Sequence, residues 1–332
     1  MAERDYEGLV VLGSPRSGTT LMRRLLNAHP TFACPPETSL LSAAARFLRE
    51  ETFRGGLAFG VVPGLEFSGV SEAQVLERLR GFAFGFLREI ATRQGKSRWA
   101  EKTATDIFHL DAIDRLCGDQ CRFLGVVRHP LDVICSTKEL ADQMGMYLPE
   151  LHEYVVRFPS PHEAFAHAWN DANRRLLDFS RRRPDACRLI RYEDLTADPE
   201  AEMAKVCEFL GEPTDVPKML QAAFAGDGGT GLGDWKTFGT RKVEATSVGR
   251  WKELSAWTLQ RLVPVVDATM RELGYEPSEV VPGSPPATDP ATRWLRPAEQ
   301  VPVKGPTLDR RREQLARMVA SLKMKTDAER AE

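Results

Sequence analysis

Three things are missing from this 332-residue sequence, and each narrows what it can do. No apolar run approaches the roughly 20 residues of a membrane-spanning helix. The start, MAERDYEGLVVLG, is charged and enters a first core strand within about eight residues, leaving no room for a secretory signal. The expectation is a cytoplasmic protein with no membrane partner. Six cysteines (Cys34, Cys117, Cys121, Cys135, Cys187, Cys207) show neither CxxC nor paired Cys/His spacing, so no zinc site and no disulfide frame is predicted. Cys117 and Cys121 read as reduced packing residues. An excess of one charge is missing as well: 45 Lys and Arg stand against 47 Asp and Glu, so no global field attracts nucleic acid. Any anionic ligand must be held by locally placed cations.

A fourth absence is local. Leu9 to Pro30 reads LVVLGSPRSGTTLMRRLLNAHP: an apolar strand, a Gly/Ser/Pro turn, then an amphipathic helix, a layout that aims a helix N-terminus and backbone N–H groups at one anion. Gly13 and Gly18 stand five apart as in a Walker A loop, but Thr19 occupies the place of its lysine. The nearest cation is Arg16, inside the loop. Pro15, Arg16, Ser17, Gly18, Thr19 and Thr20 are therefore the first candidate binding residues.

What is present predicts an α/β fold, a P-loop-like parallel sheet flanked by helices, as a single domain with lid-like excursions. At 42% apolar residues the chain can bury a full core without staples. Strands are expected at Leu9–Gly13, Arg98–Lys102, Arg122–Val127 and Cys187–Glu193, and helices over 19–29, 71–93, 107–116, 198–210 and 256–273. The segment 52–69 is too irregular for a helix and too apolar for an idle loop, and with 143–161 it reads as a cover over a cleft. Gly226–Lys252 is glycine-rich and then basic, with Lys236, Arg241, Lys242, Arg250 and Lys252. Residues 276–306 form a proline-rich extended segment. In the charged helix expected over 307–332, Leu308, Leu315 and Leu322 fall seven apart, which offers a route to a homo-oligomer or simply to packing on the same domain.

The strand at 122–127 breaks into RHPLDVICST, which puts Arg128 and Ser136 at the carboxyl edge of the parallel sheet, where ligands bind. His129 reads as structural, turned aside by the proline-started helix. Two anion sites follow, one at Arg16 and one at Arg128 and Ser136, reinforced by the basic loop near Arg250. A nucleotide phosphorylated at both 5′ and 3′ positions would fill both, and arginine's planar fork suits phosphate.

At these residues the sequence resembles the sulfotransferases that use 3′-phosphoadenosine 5′-phosphosulfate (PAPS). Pro15–Thr20 is similar to their 5′-phosphosulfate loop and Arg128 through Ser136 to their 3′-phosphate motif; RYEDL (Arg191–Leu195) and SVGRWKEL (Ser247–Leu254) are similar to two further segments. The resemblance covers about residues 8–275, taken as the sulfotransferase domain, and it brings in Tyr192, Ser247 and Arg250 as nucleotide contacts. PRSGTTLMRRLLNAHP followed by CPPET is most like the tyrosylprotein sulfotransferases and their bacterial relatives. That implies Glu37 as the base that deprotonates the acceptor, and Lys102 with Arg16 as stabilisers of the transferring group. The cytosolic members keep a base histidine where this chain has Ala104, which favours Glu37. Gly233-Asp234-Trp235-Lys236 precedes Arg241-Lys242, an order unlike the cytosolic one.

The implied reaction is an in-line transfer to an alcohol or phenol of a small-molecule acceptor, a secondary metabolite among the candidates, releasing PAP with no metal required. Two rivals stand beside it. A P-loop kinase or NTPase would need a lysine at position 19 and a magnesium-holding acid. A non-catalytic nucleotide-binding docking module would bind PAP and be indifferent to loss of Glu37.

Overall fold

The structure, a computed structural model, describes residues 6–53, 56, 58–158, 160–225, 243, 247–276 and the backbone of 296–297. Its first half runs β1 (Gly8–Leu12), α1 (Thr19–Ala28), β2 (Phe32–Ala33), α2 (Leu40–Phe47), β3 (Glu50–Thr52), β4 (Ala58–Gly60), α3 (Val61–Glu66), α4 (Glu72–Arg93), β5 (Arg98–Glu101), α5 (Leu110–Cys117) and β6 (Cys121–Val127). Then follow α6 (Pro130–Met144), β7 (Met146–Tyr147), α7 (His152–Arg157), α8 (Pro161–Arg182), β8 (Cys187–Arg191), α9 (Tyr192–Ala197), α10 (Pro199–Leu210), α11 (Val216–Phe224), α12 (Ala256–Glu272) and β9 (Arg296–Pro297).

The apolar run GLVVL has no polar side to offer water, and all five of its residues are buried. A strand of that kind belongs in the middle of a parallel sheet covered on both faces. It lies there: five parallel strands run in the order β2-β5-β1-β6-β8, with Gly8 opposite Trp99 on one side and Cys121 on the other. Side chains alternate across the pleat. Val10 and Leu12 enter a core with Phe84, Leu87, Phe123 and Trp169, whereas Leu9 and Val11 enter a second core with Leu25, Leu26, Ile190 and Val206.

Local chemistry starts the helices that line these cores. Ser71 and Gln74 form a reciprocal capping box at the head of α4. Pro130 opens α6 and Pro161 opens α8, positions where the missing N–H costs nothing. Asp198 accepts from Ala201 N–H at 3.0 Å to start α10.

Two expectations change. Residues 52–69 are not uniformly irregular: an antiparallel hairpin of β3 and β4 is followed by the six-residue α3, where no helix was expected. Val62 is 2% exposed, and this anchoring in the core, not local propensity, makes the turn helical. The strand expected to reach Glu193 ends at Arg191, so Tyr192 opens a helix instead. The basic residues Lys236, Arg241 and Lys242, and the helix expected over 307–332, lie outside the described residues, as does most of 276–306; β9 within it pairs with β7. Among the described residues no helix is long and apolar enough to cross a membrane.

The close fit of β1 to β5 gives a test. A Cβ on Gly8 would come 2.1 Å from ring atoms of Trp99, itself 1% exposed. Gly8→Ala is expected to cost about 1–3 kcal/mol in urea unfolding. Gly64→Ala in α3, where an added methyl meets nothing within 4 Å, serves as the control and costs nothing.

Candidate active site

Because the five strands are parallel, their carboxyl ends share one edge. The candidate residues follow directly from those ends: the loop 13–18 from β1, Glu37 from β2, Lys102 from β5, Arg128 from β6 and Tyr192 from β8.

The first loop is held tightly. Asn173 on α8 donates from Nδ2 to Ser14 Oγ at 2.9 Å, and Ser17 N–H donates to the Ser14 carbonyl at 3.0 Å. Arg16 and Gly18 have φ of 74° and 94° while Ser17 between them does not, an alternation that makes backbone anion nests. Gly18 is required twice over, by its left-handed φ and because a Cβ there would sit 2.3 Å from the Tyr192 ring. Thr19 and Thr20, both buried, open α1.

Arg128 is 4% exposed and knits the edge together. One terminal nitrogen donates to the Arg16 carbonyl at 2.8 Å, the other donates to the Ser247 carbonyl, and its guanidinium carbon lies 4.7 Å from the Tyr192 ring centre. Arg16 in turn donates from Nε to Ser136 Oγ on α6 at 3.0 Å. The two anion sites expected from sequence are therefore contiguous, since the loop arginine touches the serine of the second motif. Ser17 Oγ and Arg128 Nε are buried with no partner among the described residues, donors left over for a ligand. Arg250 is turned to Glu139 on α6, at 2.8 Å.

Two acids that the sequence did not single out organise this edge. Asp132, 1% exposed, accepts from the N–H groups of Gly249 and Trp251 at 2.8 and 3.1 Å and so docks the 247–251 segment onto α6. Glu193 accepts from His129 N–H at 2.9 Å and from the Tyr275 hydroxyl at 2.8 Å. In sequence Asp132 reads as an ordinary first-turn acid of a helix, and Glu193 as the last residue of a strand. His129 stacks on Trp251, centroids 5.2 Å apart and planes within 7°, and meets Tyr275 edge-on, which makes it a packing residue.

At the β5 end Lys102 is fully buried, and its Nζ donates to Glu37 Oε1 at 2.5 Å. Glu37 belongs to a strap pinned from β5: Ser39 N–H donates to Thr103 Oγ1 at 3.0 Å, and that hydroxyl donates to Glu101 Oε1 at 2.7 Å. Ser42 donates to Asp106 Oδ1. Glu101 and Asp106 are wholly buried, and burial pushes both carboxyls above their ordinary range, Asp106 strongly so and further with Glu101 beside it. The ionic balance of the cluster thus rests on Lys102 and Glu37.

Residues 8–216 match the family described as the Sulfotransferase family. The chain belongs to that family. Among relatives of the sulfotransferase chain is the nodulation protein NoeE of Sinorhizobium fredii (strain NBRC 101917 / NGR234), 29% identical over 285 residues, which are 81% of this chain and 66% of that protein. A putative protein-tyrosine sulfotransferase of Caenorhabditis briggsae is 29% identical over 62% of this chain and 66% of its own length. Protein-tyrosine sulfotransferase 1 of Danio rerio is 25% identical, over 82% and 74%. The chain thus spans just under two thirds of the first two relatives. In fold it is similar to the sulfotransferase domain from the curacin biosynthetic pathway, with a TM-score of 0.58 and 22% identity over 82% of this chain and 99% of that one.

His129 provides a pH test. Burial, against the opposing pull of Asp132, holds its imidazole down to about 4. The unfolded chain, with the ordinary value near 6.5, then binds the extra proton between those limits, so this contribution is complete above pH 6.5 and is lost as pH falls toward 4. His129→Phe keeps the stack on Trp251 without the titration. Wild type minus variant stability, from denaturant melts at each pH, is expected to decline by on the order of 3 kcal/mol across that window.

Proposed function

We propose that the chain transfers a sulfuryl group from PAPS to the hydroxyl of a small-molecule acceptor, an alcohol or phenol, and releases PAP. The observation that carries this reading is the Lys102–Glu37 pair: a fully buried ammonium against a carboxylate whose side chain stays 22% exposed, on the same edge as the arginine cluster. Buried cations with spare donors beside an open carboxylate suit an anionic donor and a protic acceptor meeting there.

The residues fit the nucleotide. Pro15 to Thr20 would take the 5′-phosphosulfate, with Ser17 Oγ among the donors that lack a partner among the described residues. Arg128, Ser136, Ser247 and Arg250 would take the 3′-phosphate side, with Tyr192 packed between the two motifs against Gly18 and Arg128. Bound PAPS supplies the sulfuryl group and a phosphate leaving group. Glu37 accepts the proton of the acceptor hydroxyl. Protonation ends its hold on Lys102, so the ammonium is freed for the leaving phosphate as negative charge gathers there, with Arg16 and the loop N–H groups completing the balance. No metal enters this scheme.

Relatives named for tyrosine, a phenol, support a hydroxyl acceptor. The exposed, edge-packed Phe53 and Phe59 of the hairpin and the aromatic segment 143–161 suit one with an apolar or aromatic body. We place this activity in one catalytic domain over residues 1–275, in the cytoplasm.

The test is thermal unfolding with PAP followed by sulfuryl transfer from PAPS to a panel of phenols and alcohols. PAP at about 100 times its Kd should stabilise the fold by about 2.7 kcal/mol. Arg128→Ala should abolish that shift. Glu37→Gln should keep it while lowering kcat by about 10²–10⁴-fold. An unchanged melting curve at saturating PAP, or full turnover by Glu37→Gln, would overturn the reading.

A further inference from the structure

The start of α2 breaks the usual rule for a helix. A serine just before the first turn normally has extended backbone, and its hydroxyl accepts from an N–H of that turn. Ser39 does neither: its φ and ψ are 57° and 16°, and its side chain makes no capping hydrogen bond. Leu40 N–H goes to Thr38 Oγ1 instead, at 3.2 Å. Left-handed backbone lowers the population of a residue that carries a side chain by a factor of about 5–30, so it persists where the surroundings impose it. Among the described residues the non-glycine positions with positive φ are Arg16 and Ser39, one in the anion loop and the other just past Glu37.

What imposes it on Ser39 comes from the end of β5. Glu101, Lys102 and Thr103 follow one another there, all buried, and each has a part in holding the strap. Lys102 takes Glu37 at 2.5 Å, and Thr103 Oγ1 accepts from Ser39 N–H at 3.0 Å. The Thr103 hydroxyl has one proton and gives it to Glu101 Oε1 at 2.7 Å, which leaves its lone pairs for Ser39. Beyond the turn, α2 is anchored by buried Leu41, Ala44 and Ala45 and by Ser42 on Asp106. Ahead of Glu37, Asn27 Oδ1 accepts from Cys34 N–H at 3.0 Å, and Pro35 and Pro36 have little freedom in φ. Glu37 thus lies between two fixed ends, and the turn at Ser39 sets its direction. With Ser39 returned to extended backbone, the carboxylate would leave the ammonium.

We propose that Thr103 is a positioning residue, holding Ser39 in its left-handed turn and through it the Glu37 carboxylate on Lys102. That Glu37 there takes the acceptor's proton rests on the sulfuryl-transfer reading, whereas the hold of Thr103 on the pair does not.

Two measurements on the full chain test it: steady-state transfer from PAPS, and zero-length carbodiimide coupling, read by mass spectrometry as an amide between Glu37 and Lys102. Thr103→Val replaces the hydroxyl by a methyl of like size. It should lower both kcat and the coupling yield about 5–30-fold, the cost of the unheld turn. The KM for PAPS and the PAP-induced shift in melting should stay as in wild type. Thr103→Ser, which keeps the hydroxyl, should restore both. Ser39→Val leaves Thr103 and Glu101 untouched and should also lower both, because a β-branched residue resists so positive a φ. Adding Ser39→Gly to Thr103→Val should recover most of the loss, since glycine takes positive φ freely. An unchanged coupling yield in Thr103→Val, a loss confined to KM, equal losses in Thr103→Ser and Thr103→Val, or no recovery with glycine would overturn the proposal. A wild type that binds PAPS without turnover would overturn the sulfuryl-transfer reading instead, and the coupling yield would still decide whether Thr103 sets the pair.

Discussion

Parallel pairing of β1 with β5 and β6 is the constraint from which the remainder follows. A strand buried on both faces has no polar side, so charged groups serving it can stand only where the chain leaves the sheet, and parallel strands all leave at one edge. That is why an arginine sixteen residues into the chain, a lysine at 102 and a second arginine at 128 become neighbours without any element being built to hold them. Shifting the register of β6 by one residue would exchange Phe123 for Leu124 between the two cores and swing Arg128 off the edge. Packing of the interior and placement of the cations are one requirement.

The electrostatics of the edge divide in two. Around Arg128 a buried cation is compensated by backbone carbonyls and an aromatic face, partners that carry no full negative charge. Around Lys102 compensation is a true ion pair, backed by acids that burial keeps toward the neutral form. Desolvating a charge costs several kcal/mol, so the first arrangement leaves positive potential to draw an anion, whereas the second is internally neutral until a proton arrives. One half is suited to binding, the other to proton-coupled change.

Much of this could be read from residue order. The runs that form β1, β6 and β8, the Gly13–Gly18 loop and the proline-started α6 carry local signals in period and turn chemistry, and they lie within a residue or two of expectation. Contacts without a local signature stayed hidden. Glu37 and Lys102 are 65 residues apart, and nothing in either segment encodes 2.5 Å between them. Asp132 looks like a first-turn acid and Glu193 like a strand end, yet each spends its carboxylate on a distant stretch of backbone or side chain. The 52–69 stretch went wrong for the converse reason: α3 exists because Val62 finds a core, a tertiary fact.

The docking of Gly249 and Trp251 on Asp132 has a further meaning for a chain that emerges from its amino end. Arg128 meets Ser247, and Glu193 meets Tyr275, only after the chain has grown by a further 119 and 82 positions. Contacts so far apart along the chain close late. A nascent chain halted after β8 could hold its five strands and its first loop, but its arginine edge would lack the 247–251 segment that Arg128 and Asp132 hold. The arginine edge would therefore be complete only with the last quarter of the chain, well after the sheet itself can form.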